Sequence, residues 1–186
     1  SASALAGGGS FSCAYISNGT AKCWGNNTDG VLGNAVNTSM YTPVTVSGLT
    51  GITSISAGLL HACARLSTGS VKCWGHNLYG QLGNDSNQNS TVPVPVAGGL
   101  KFRSLSAGLL HSCGVTTDGR AWCWGSNELA PLGAGSRSQV VTTPAAVAGA
   151  RRFVAIAAGH QHTCALATDG SVWCWGIETG PTPADS

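Results

Sequence analysis

The stretch His61-Ala-Cys-Ala-Arg-Leu-Ser-Thr-Gly-Ser-Val-Lys-Cys-Trp-Gly75 decides the fold, because the chain contains four copies of it. The other copies run over Phe11–Gly25, His111–Gly125 and His162–Gly176, at intervals of 50, 50 and 51 residues. Self-similarity at a fixed period of this length is the signature of a repeat architecture. We therefore predict a single repeat domain over residues 1–186, with units at approximately 1–48, 49–98, 99–149 and 150–186.

A tight turn lies at the centre of each copy. Residues 17–19, Ser-Asn-Gly, and their counterparts are typical of three-residue hairpin loops that end in a glycine with positive φ. Counting outward from this loop pairs Ile16 with Thr20 and brings Cys13 opposite Cys23, on a rung without hydrogen bonds. The Cα atoms on such a rung are about 4.5 Å apart, a distance that a disulfide spans.

The same count pairs every cysteine within its own hairpin. The predicted disulfides are Cys13–Cys23, Cys63–Cys73, Cys113–Cys123 and Cys164–Cys174. Structural zinc sites use closely spaced pairs such as Cys-x2-Cys, which this chain lacks, so free buried thiols are the stronger alternative. Four disulfides indicate an oxidising compartment, and we expect a secreted or cell-surface protein.

Further strands are predicted on both sides of each hairpin. Apolar and small residues alternate before it, as in Ile52–Gly58, and indicate a first, innermost strand. After a long loop, a fourth strand is predicted at Pro43–Gly48, Pro93–Gly98 and Pro144–Gly149, where proline suits an outer edge. Four antiparallel strands per period are typical of a propeller blade, so the predicted fold class is an all-β β-propeller with about four blades.

One motif carries a family resemblance. Ser56-Ala-Gly-x-x-His-x-Cys63, followed by Cys73-Trp-Gly-x-Asn-x-x-Gly-x-Leu-Gly83, resembles the repeat of the regulator of chromosome condensation propeller family, which has a secreted β-lactamase inhibitor protein among its relatives. The resemblance covers essentially the whole chain, and the cysteine pairs look like those of the secreted or cell-surface members. The third repeat departs from the pattern at Ala130-Pro131, where the family has Gly-Gln, and the fourth lacks the Gly-x-Leu-Gly segment.

The resemblance implies a ring of seven blades, whereas this chain supplies a little under four. Because each blade packs on two neighbours, an open array leaves apolar faces in water. Three arrangements would cover them. The chain is a piece of a longer protein, two copies complete a ring, or blades stack openly in a larger assembly.

Charged residues are scarce. Asp, Glu, Lys and Arg make up 9% of the chain, against about 25% in a typical soluble domain. The net charge is +2 and the basic residues are scattered, so we expect no nucleic-acid partner. No apolar run approaches the roughly 18 residues of a membrane span, so we expect no direct membrane insertion. Residues 1–7 lack the basic region and apolar core of an intact signal peptide and could be a mature end left after cleavage.

Three histidines recur two residues before a cysteine: His61, His111 and His162. A ring of imidazoles at the propeller axis would suit zinc, copper or nickel. Phe11 breaks the set, and no carboxylate has the spacing of an outer-shell partner. We therefore interpret the histidines as structural, bonded to neighbouring backbone, and predict no metal and no cofactor. The acidic residues form no catalytic pair or triad, so we predict that the protein is not an enzyme.

Two further residue types are singled out. The tryptophans of the four Cys-Trp-Gly triplets are predicted to pack between blades, whereas Trp122 and Trp173 are better candidates for exposure. Sequons at Asn37, Asn84 and Asn89 lie in the long loops and are candidate glycosylation sites.

The leading functional hypothesis is a secreted or cell-surface scaffold that mediates protein–protein contacts or self-assembles into an extracellular structure. Its variable loops would contact a protein partner or other copies of itself, at residues 34–42, 84–92 and 134–143. The alternative is a soluble binding module, similar to the enzyme inhibitor or exchange factors of the family, that uses one rim of a completed ring. A carbohydrate-binding propeller with an aromatic site is a more distant alternative.

Overall fold

The structure is a computed structural model, and it describes residues 1–136 and 138–177. The strands form four separate antiparallel sheets, which confirms the prediction of an all-β propeller with about four blades. The last nine residues of the predicted fourth unit, 178–186, lie outside the described part.

The strands follow one another in chain order within each blade. Blade 1 contains β1 (Ala2–Gly7), β2 (Phe11–Ile16), β3 (Ala21–Gly25) and β4 (Met40–Thr45). Blade 2 contains β5 (Ile52–Ala57), β6 (His61–Leu66), β7 (Val71–Gly75) and β8 (Ser90–Pro95). Blade 3 contains β9 (Phe102–Ala107), β10 (His111–Thr116), β11 (Ala121–Ser126) and β12 (Val140–Ala146). The described residues of blade 4 supply β13 (Phe153–Ala158), β14 (His162–Ala167) and β15 (Val172–Gly176).

Helical structure is minimal. Between blades 2 and 3 lies a short 3-10 turn, Ala97–Gly99. Among the described residues, no helix has the length and hydropathy needed to cross a membrane.

The hairpin register follows the local turn chemistry. Gly19 has φ of 81°, and its N–H donates to the carbonyl of Ile16 at 2.8 Å. This closes the loop so that Cys13 pairs directly with Cys23. All four hairpins form their disulfide, with Cα atoms 4.0 or 4.1 Å apart. Each blade is therefore cross-linked within itself.

The core consists of three apolar clusters, one at each junction between consecutive blades. At the junction of blades 2 and 3, the buried Cys63 and Cys73 pack with Phe102 and Trp124 of the next blade. The rings of Phe102 and Trp124 lie 5.8 Å apart and are tilted. The aromatic side chains of one blade thus cover the disulfide of the preceding blade. A blade therefore needs a neighbour to bury its half-cystines.

The first strands approach one another most closely near their ends. A Cβ atom on Gly58 would lie 2.2 Å from the carbonyl oxygen of Gly108, and one on Gly108 would lie 2.5 Å from that of Gly159. Glycine is required here because no side chain fits between consecutive blades. The ends of these strands line one shared groove, as expected for innermost strands.

The predicted limits of the fourth strand were wrong. It begins at Met40, three residues before Pro43, and ends at Thr45. The ladder between β3 and β4 shifts register, since Cys23 pairs with Val44 and Gly25 pairs with Met40. Pro43 lies inside this irregularity, where a missing N–H breaks no regular ladder bond. The strand also extends into the segment that the sequence suggested was loop.

Candidate functional site

The antiparallel order of the strands gives the propeller segment two different rims. One rim, here called the loop rim, carries the turns between first and second strands and the residues that follow the third strands. These lie at 8–10, 26–39, 58–60, 76–89, 108–110, 127–136, 138–139, 159–161 and 177. The other, here called the hairpin rim, carries the tight hairpin loops and the connections between blades, at 17–20, 46–51, 67–70, 96–101, 117–120, 147–152 and 168–171.

An asparagine organises each of the three long loops, buried in blades 1 and 2 and half-buried in blade 3. The amide of Asn77 donates to the carbonyls of Ser86 at 2.9 Å and Gln88 at 3.0 Å. It also donates to the side chain of Asn84 at 3.2 Å, while its oxygen accepts from the N–H of Leu82 at 2.9 Å. Asn27 and Asn127 make corresponding bonds in blades 1 and 3. These hydrogen bonds give the loops a defined conformation, although the loops lie outside the strands.

The long loops also contact the following blade. The N–H of Ala35 donates to the carbonyl of Thr91, and the N–H of Asp85 donates to that of Thr142, both at 3.0 Å. Ala35 and Asp85 have φ of 68° and 60°, which aims these donors across the junction. Each of these two loops is thus tied to the fourth strand of the next blade.

The third loop shows the consequence of the departure at Ala130-Pro131. Ala130 has φ of 56°, in the position where blades 1 and 2 have Gly30 and Gly80 with φ of 76° and 77°. The preceding Leu129 has φ of 131° and an exposed side chain. A non-glycine residue in this region carries backbone strain.

The two rims differ in exposed apolar side chains. Leu78 is 59% exposed in a loop whose backbone is held by Asn77. The large apolar side chains exposed on this rim are Val36, Leu59, Leu78, Tyr79, Leu129 and Ile177. In contrast, the hairpin rim has none among the described residues. Contiguous exposed apolar groups mark interaction surfaces, so the loop rim is the candidate surface.

Charge also differs between the rims. The described residues of the loop rim carry Asp29, Asp85 and Glu128 and no lysine or arginine. On the hairpin rim, the charged side chains are Lys101, Asp118, Arg120, Arg151, Arg152 and Asp169. The hydrogen bond from Thr116 lowers the pKa of Asp118, and that from Ser171 lowers the pKa of Asp169. Among the described residues, the loop rim is thus acidic and the hairpin rim is mainly basic.

The candidate glycosylation sites lie on the loop rim. Asn37 and Asn89 are exposed, and Asn84 is half-buried. The side chain of Asn89 accepts the N–H of Asn77 at 2.8 Å and donates to Asp29 at 3.2 Å. Their glycosylation stays a prediction.

Two of the recurring histidines, His61 and His111, lie at blade junctions, where each bonds to a hydroxyl of the next blade. Nε2 of His61 lies 2.8 Å from Oγ of Ser112, which donates to the carbonyl of Gln81 at 2.9 Å. The indole of Trp124 donates to the same carbonyl at 2.9 Å. The prediction of a direct bond between the histidine and neighbouring backbone was wrong. The serine hydroxyl lies between the imidazole and the backbone carbonyl and bonds to both.

The next junction repeats this arrangement. Nε2 of His111 lies 2.9 Å from Oγ1 of Thr163, and the hydroxyl donates to the carbonyl of Pro131 at 2.8 Å. Trp175 donates to that carbonyl at 2.8 Å. The first junction instead places Phe11 and Ala62 at these positions and keeps only the indole bond, from Trp74.

The hydroxyl geometry fixes the histidine tautomer. Because Ser112 donates to Gln81, it must accept the proton on Nε2 of His61, and Nδ1 of that ring has no hydrogen-bond partner in the described residues. Burial lowers the pKa of His61 to about 3, with a smaller contribution from His111. Burial and then His162 lower the pKa of His111 to about 4. Both imidazoles are neutral at physiological pH.

The tryptophans divide by position within the blade. Trp74 and Trp124 are fully buried, as expected for packing between blades. Trp122 and Trp173 are half-buried and pack with the clusters at the preceding junctions. Trp173 is also covered by the guanidinium of Arg151, 3.5 Å from its ring centre. Within the described residues, no three His, Cys, Asp or Glu side chains form a group that could hold a metal ion.

The repeats that contain these bonds match the profile of a known repeat family. The profile of the regulator of chromosome condensation (RCC1) repeat matches residues 18–65, 68–115 and 118–166. The chain belongs to the RCC1 repeat family. A second RCC1 profile matches residues 52–81 and 102–129. Comparison with curated proteins gives no match.

Solved structures of RCC1-type propellers resemble the chain. Yeast RCC1 (Prp20), crystallised with Kap60, is 25% identical with a TM-score of 0.82, over 93% of this chain and 43% of that one. Human WBSCR16 is 21% identical with a TM-score of 0.88, over 97% of this chain and 48% of that one. The ectodomain of the Physcomitrella patens receptor kinase CR4 is 26% identical with a TM-score of 0.63, over 98% and 42%. The chain spans less than half the length of these proteins.

Proposed function

We propose that the chain is a non-enzymatic scaffold, secreted or on the cell surface, that binds a protein partner through the loop rim. The observation that carries this proposal is the presence of exposed large apolar side chains on that rim, beside their absence from the described hairpin rim. Loops held on a rigid scaffold commonly provide binding surfaces. The four disulfides support an oxidising compartment.

The chemistry of the rim defines the partner. Leu78 and Val36 would bury apolar area, while Asp29 and Asp85 favour basic groups around it. Charge complementarity of this kind increases association rate and specificity. We therefore expect a protein surface with an apolar centre and a basic edge. The expectation that the chain does not bind nucleic acid stays a prediction.

One relative, known from two solved structures, supports protein binding as a use of this fold. Yeast Prp20 was crystallised bound to Kap60, and the binding of Prp20p to Gsp1p and histones has been described. The alternative of a soluble inhibitor-like or exchange-factor-like module would use the same rim and differ in forming a discrete complex. A carbohydrate site is less well supported, because Trp122 and Trp173 are half-buried at junctions.

The test compares the two rims. The oxidised chain is immobilised and exposed to the extracellular proteins of its source, and captured proteins are quantified by mass spectrometry. A loop-rim variant with Val36→Asp and Leu78→Asp should lose a specific partner by more than tenfold, because each change places a charge in the apolar centre.

The matched control changes the opposite rim. A variant with Arg120→Ser and Arg152→Ser should keep the partner at the wild-type level, since these side chains lie on the hairpin rim. Equal losses in both variants, or capture that neither variant changes, would contradict the proposal.

A further inference from the structure

A small cavity opens on the loop rim between blades 3 and 4. Its volume is about 40 Å³, which exceeds the roughly 10–15 Å³ that one water molecule needs and lies far below the roughly 300–1,000 Å³ of a small-molecule site. The cavity therefore suits a single protruding side chain. The apolar side chains that line it are Leu109, Leu110, Leu129 and Pro131, and the exposed Glu128 and His160 line it as well.

Two replacements in the third repeat account for this space. In blade 2, the equivalent positions hold His76 and Gln81, which are buried, with Nδ1 of the histidine 2.8 Å from Nε2 of the glutamine. Blade 3 has Ser126 and Pro131 at these positions, and both line the cavity. Because serine and proline are smaller than histidine and glutamine, the exchange removes side-chain volume at this point of the rim.

The same exchange changes the backbone beside the cavity. In blade 2, the N–H of Tyr79 donates to Oε1 of Gln81 at 3.1 Å, an acceptor that Pro131 does not supply. The equivalent N–H in blade 3, that of Leu129, donates instead to the carbonyl of Asn127 at 3.1 Å. Leu129 has φ of 131°, and its side chain lines the cavity while remaining 41% exposed. Backbone strain of this kind clusters at sites that hold ligands.

The lining combines an apolar surface with one carboxylate. An aliphatic group that enters the cavity leaves water, which is favourable by about 25 cal/mol for each Å² of apolar surface removed. A cation next to that group can pair with the carboxylate of Glu128, which contributes to the negative charge of the described loop rim. The matching ligand is thus an aliphatic group beside a positive charge.

We propose that this cavity anchors the partner of the loop rim, taking an aliphatic side chain while a basic group beside it pairs with Glu128. The proposal rests on the proposed function of the rim and adds the position and chemistry of the anchor. It also gives a role to the departure from the family pattern at Ala130-Pro131, because a glutamine in place of Pro131 would occupy the space.

NMR titration of the oxidised full chain with n-butylammonium tests the proposal, because this ion joins an aliphatic chain to a cation. The amide shifts of Leu109, Leu129 and Gln161 should change and saturate at millimolar concentration. 1-Butanol lacks the charge and should bind about fivefold more weakly, the upper end for an exposed ion pair. Methylammonium lacks three methylene groups and should bind more than about tenfold more weakly. Equal affinity for the three probes, or shifts confined to other residues, would overturn the proposal.

Two variants separate the charge of the cavity from its volume. Glu128→Gln should weaken binding of n-butylammonium about fivefold and leave that of 1-butanol unchanged. The triple change Ser126→His, Ala130→Gly and Pro131→Gln gives blade 3 the residues of blade 2 and should abolish saturable binding of both probes. Since blade 2 folds with these residues, the triple variant should fold too, as circular dichroism and an oxidised mass will verify.

Asp118→Asn provides the matched control for loss of a negative charge. It lies on the hairpin rim, and Asn18 occupies the equivalent position in blade 1. The affinity for each probe should equal that of the wild type. Probe binding that survives the triple change, or that Asp118→Asn and Glu128→Gln weaken equally, would contradict the assignment of the cavity.

Capture of the partner gives a second, independent result. The triple variant should capture the partner more than about tenfold less than the wild type, because side chains anchored in a pocket carry much of the binding energy. If Val36→Asp with Leu78→Asp abolishes capture and the triple variant keeps it at the wild-type level, the cavity proposal is wrong and the proposed function of the rim stands. Probe binding is measured without the partner, so the two proposals fail separately.

Discussion

The junction between blades 1 and 2 and the junction between blades 2 and 3 share a backbone arrangement and differ in one side-chain pair. Trp74 donates to the carbonyl of Val31 at the first, and Trp124 donates to the carbonyl of Gln81 at the second. Beside these bonds, the first has Phe11 and Ala62, whereas the second has His61 bonded to Ser112. The shared backbone arrangement thus determines where blades meet. The side-chain pair determines whether the stability of the junction depends on pH.

The largest expected effect comes from acid. His61 and His111 have pKa values of about 3 and about 4 in the folded protein, against about 6.5 in an unfolded chain. Below pH 6.5 the unfolded chain binds protons that the folded one excludes, so stability present above pH 6.5 is lost as the pH falls toward these values. At pH 5 the loss should be about 2 kcal/mol for each histidine, at 1.36 kcal/mol per pH unit.

Urea unfolding at fixed protein concentration, followed by tryptophan fluorescence between pH 8 and pH 5, measures this loss. Replacing one polar pair, through His61→Phe with Ser112→Ala, should remove about half of the pH dependence. An unchanged slope in that variant would mean that other groups cause the acid sensitivity.

A smaller effect is expected from disrupting the close approach of the first strands at the junction between blades 2 and 3. Gly58→Ala would place Cβ 2.2 Å from the carbonyl oxygen of Gly108, so the blades must separate. We expect a loss of about 3 kcal/mol in the free energy of unfolding, at the upper end of overpacking effects. Differential scanning calorimetry would record it as a lower Tm.

Gly7 provides the control for this change. It has no atom within 4 Å of an added Cβ, and the equivalent residue in blade 2 is Ala57. Gly7→Ala should therefore leave Tm almost unchanged. If the two alanine variants have equal Tm, the close approach of the strands does not constrain the fold.

The smallest effects should come from the paired side chains at pH 7. Ser112→Ala leaves Nε2–H of His61 buried without an acceptor and should cost about 2 kcal/mol. The double change His61→Phe with Ser112→Ala reproduces the first junction and should cost less than about 1 kcal/mol. A double-mutant cycle by urea unfolding measures the coupling, and additive effects would show that the two residues act independently.

The fold was predictable where the determining contacts are local in sequence. Residues 17–19 form a tight turn, and counting from it places Cys13 opposite Cys23 in the structure as in the prediction. The limits of the fourth strand were not predictable in this way. They depend on the irregular pairing of Gly25 with Met40, which follows from how β4 returns along β3.

The site was less predictable because its contacts cross between repeats. The partner of His61 is Ser112, about one period away, and the count within a hairpin contains no information about it. Aligning the repeats provides a signal, since Ala62 is the position that lacks a hydroxyl and it follows the repeat with Phe11. Asn77 was recognisable by its recurrence, but its buried bonds depend on the loop that surrounds it.

The placement of the disulfides has a consequence for how this protein is made and varied. Each bond closes over a sequence separation of 10 residues, inside one hairpin. Oxidation can therefore proceed as soon as each hairpin emerges during synthesis, without waiting for later parts of the chain. Duplication or deletion of a whole period changes the number of blades and leaves no unpaired thiol. The length of such a protein can therefore evolve in steps of one repeat unit.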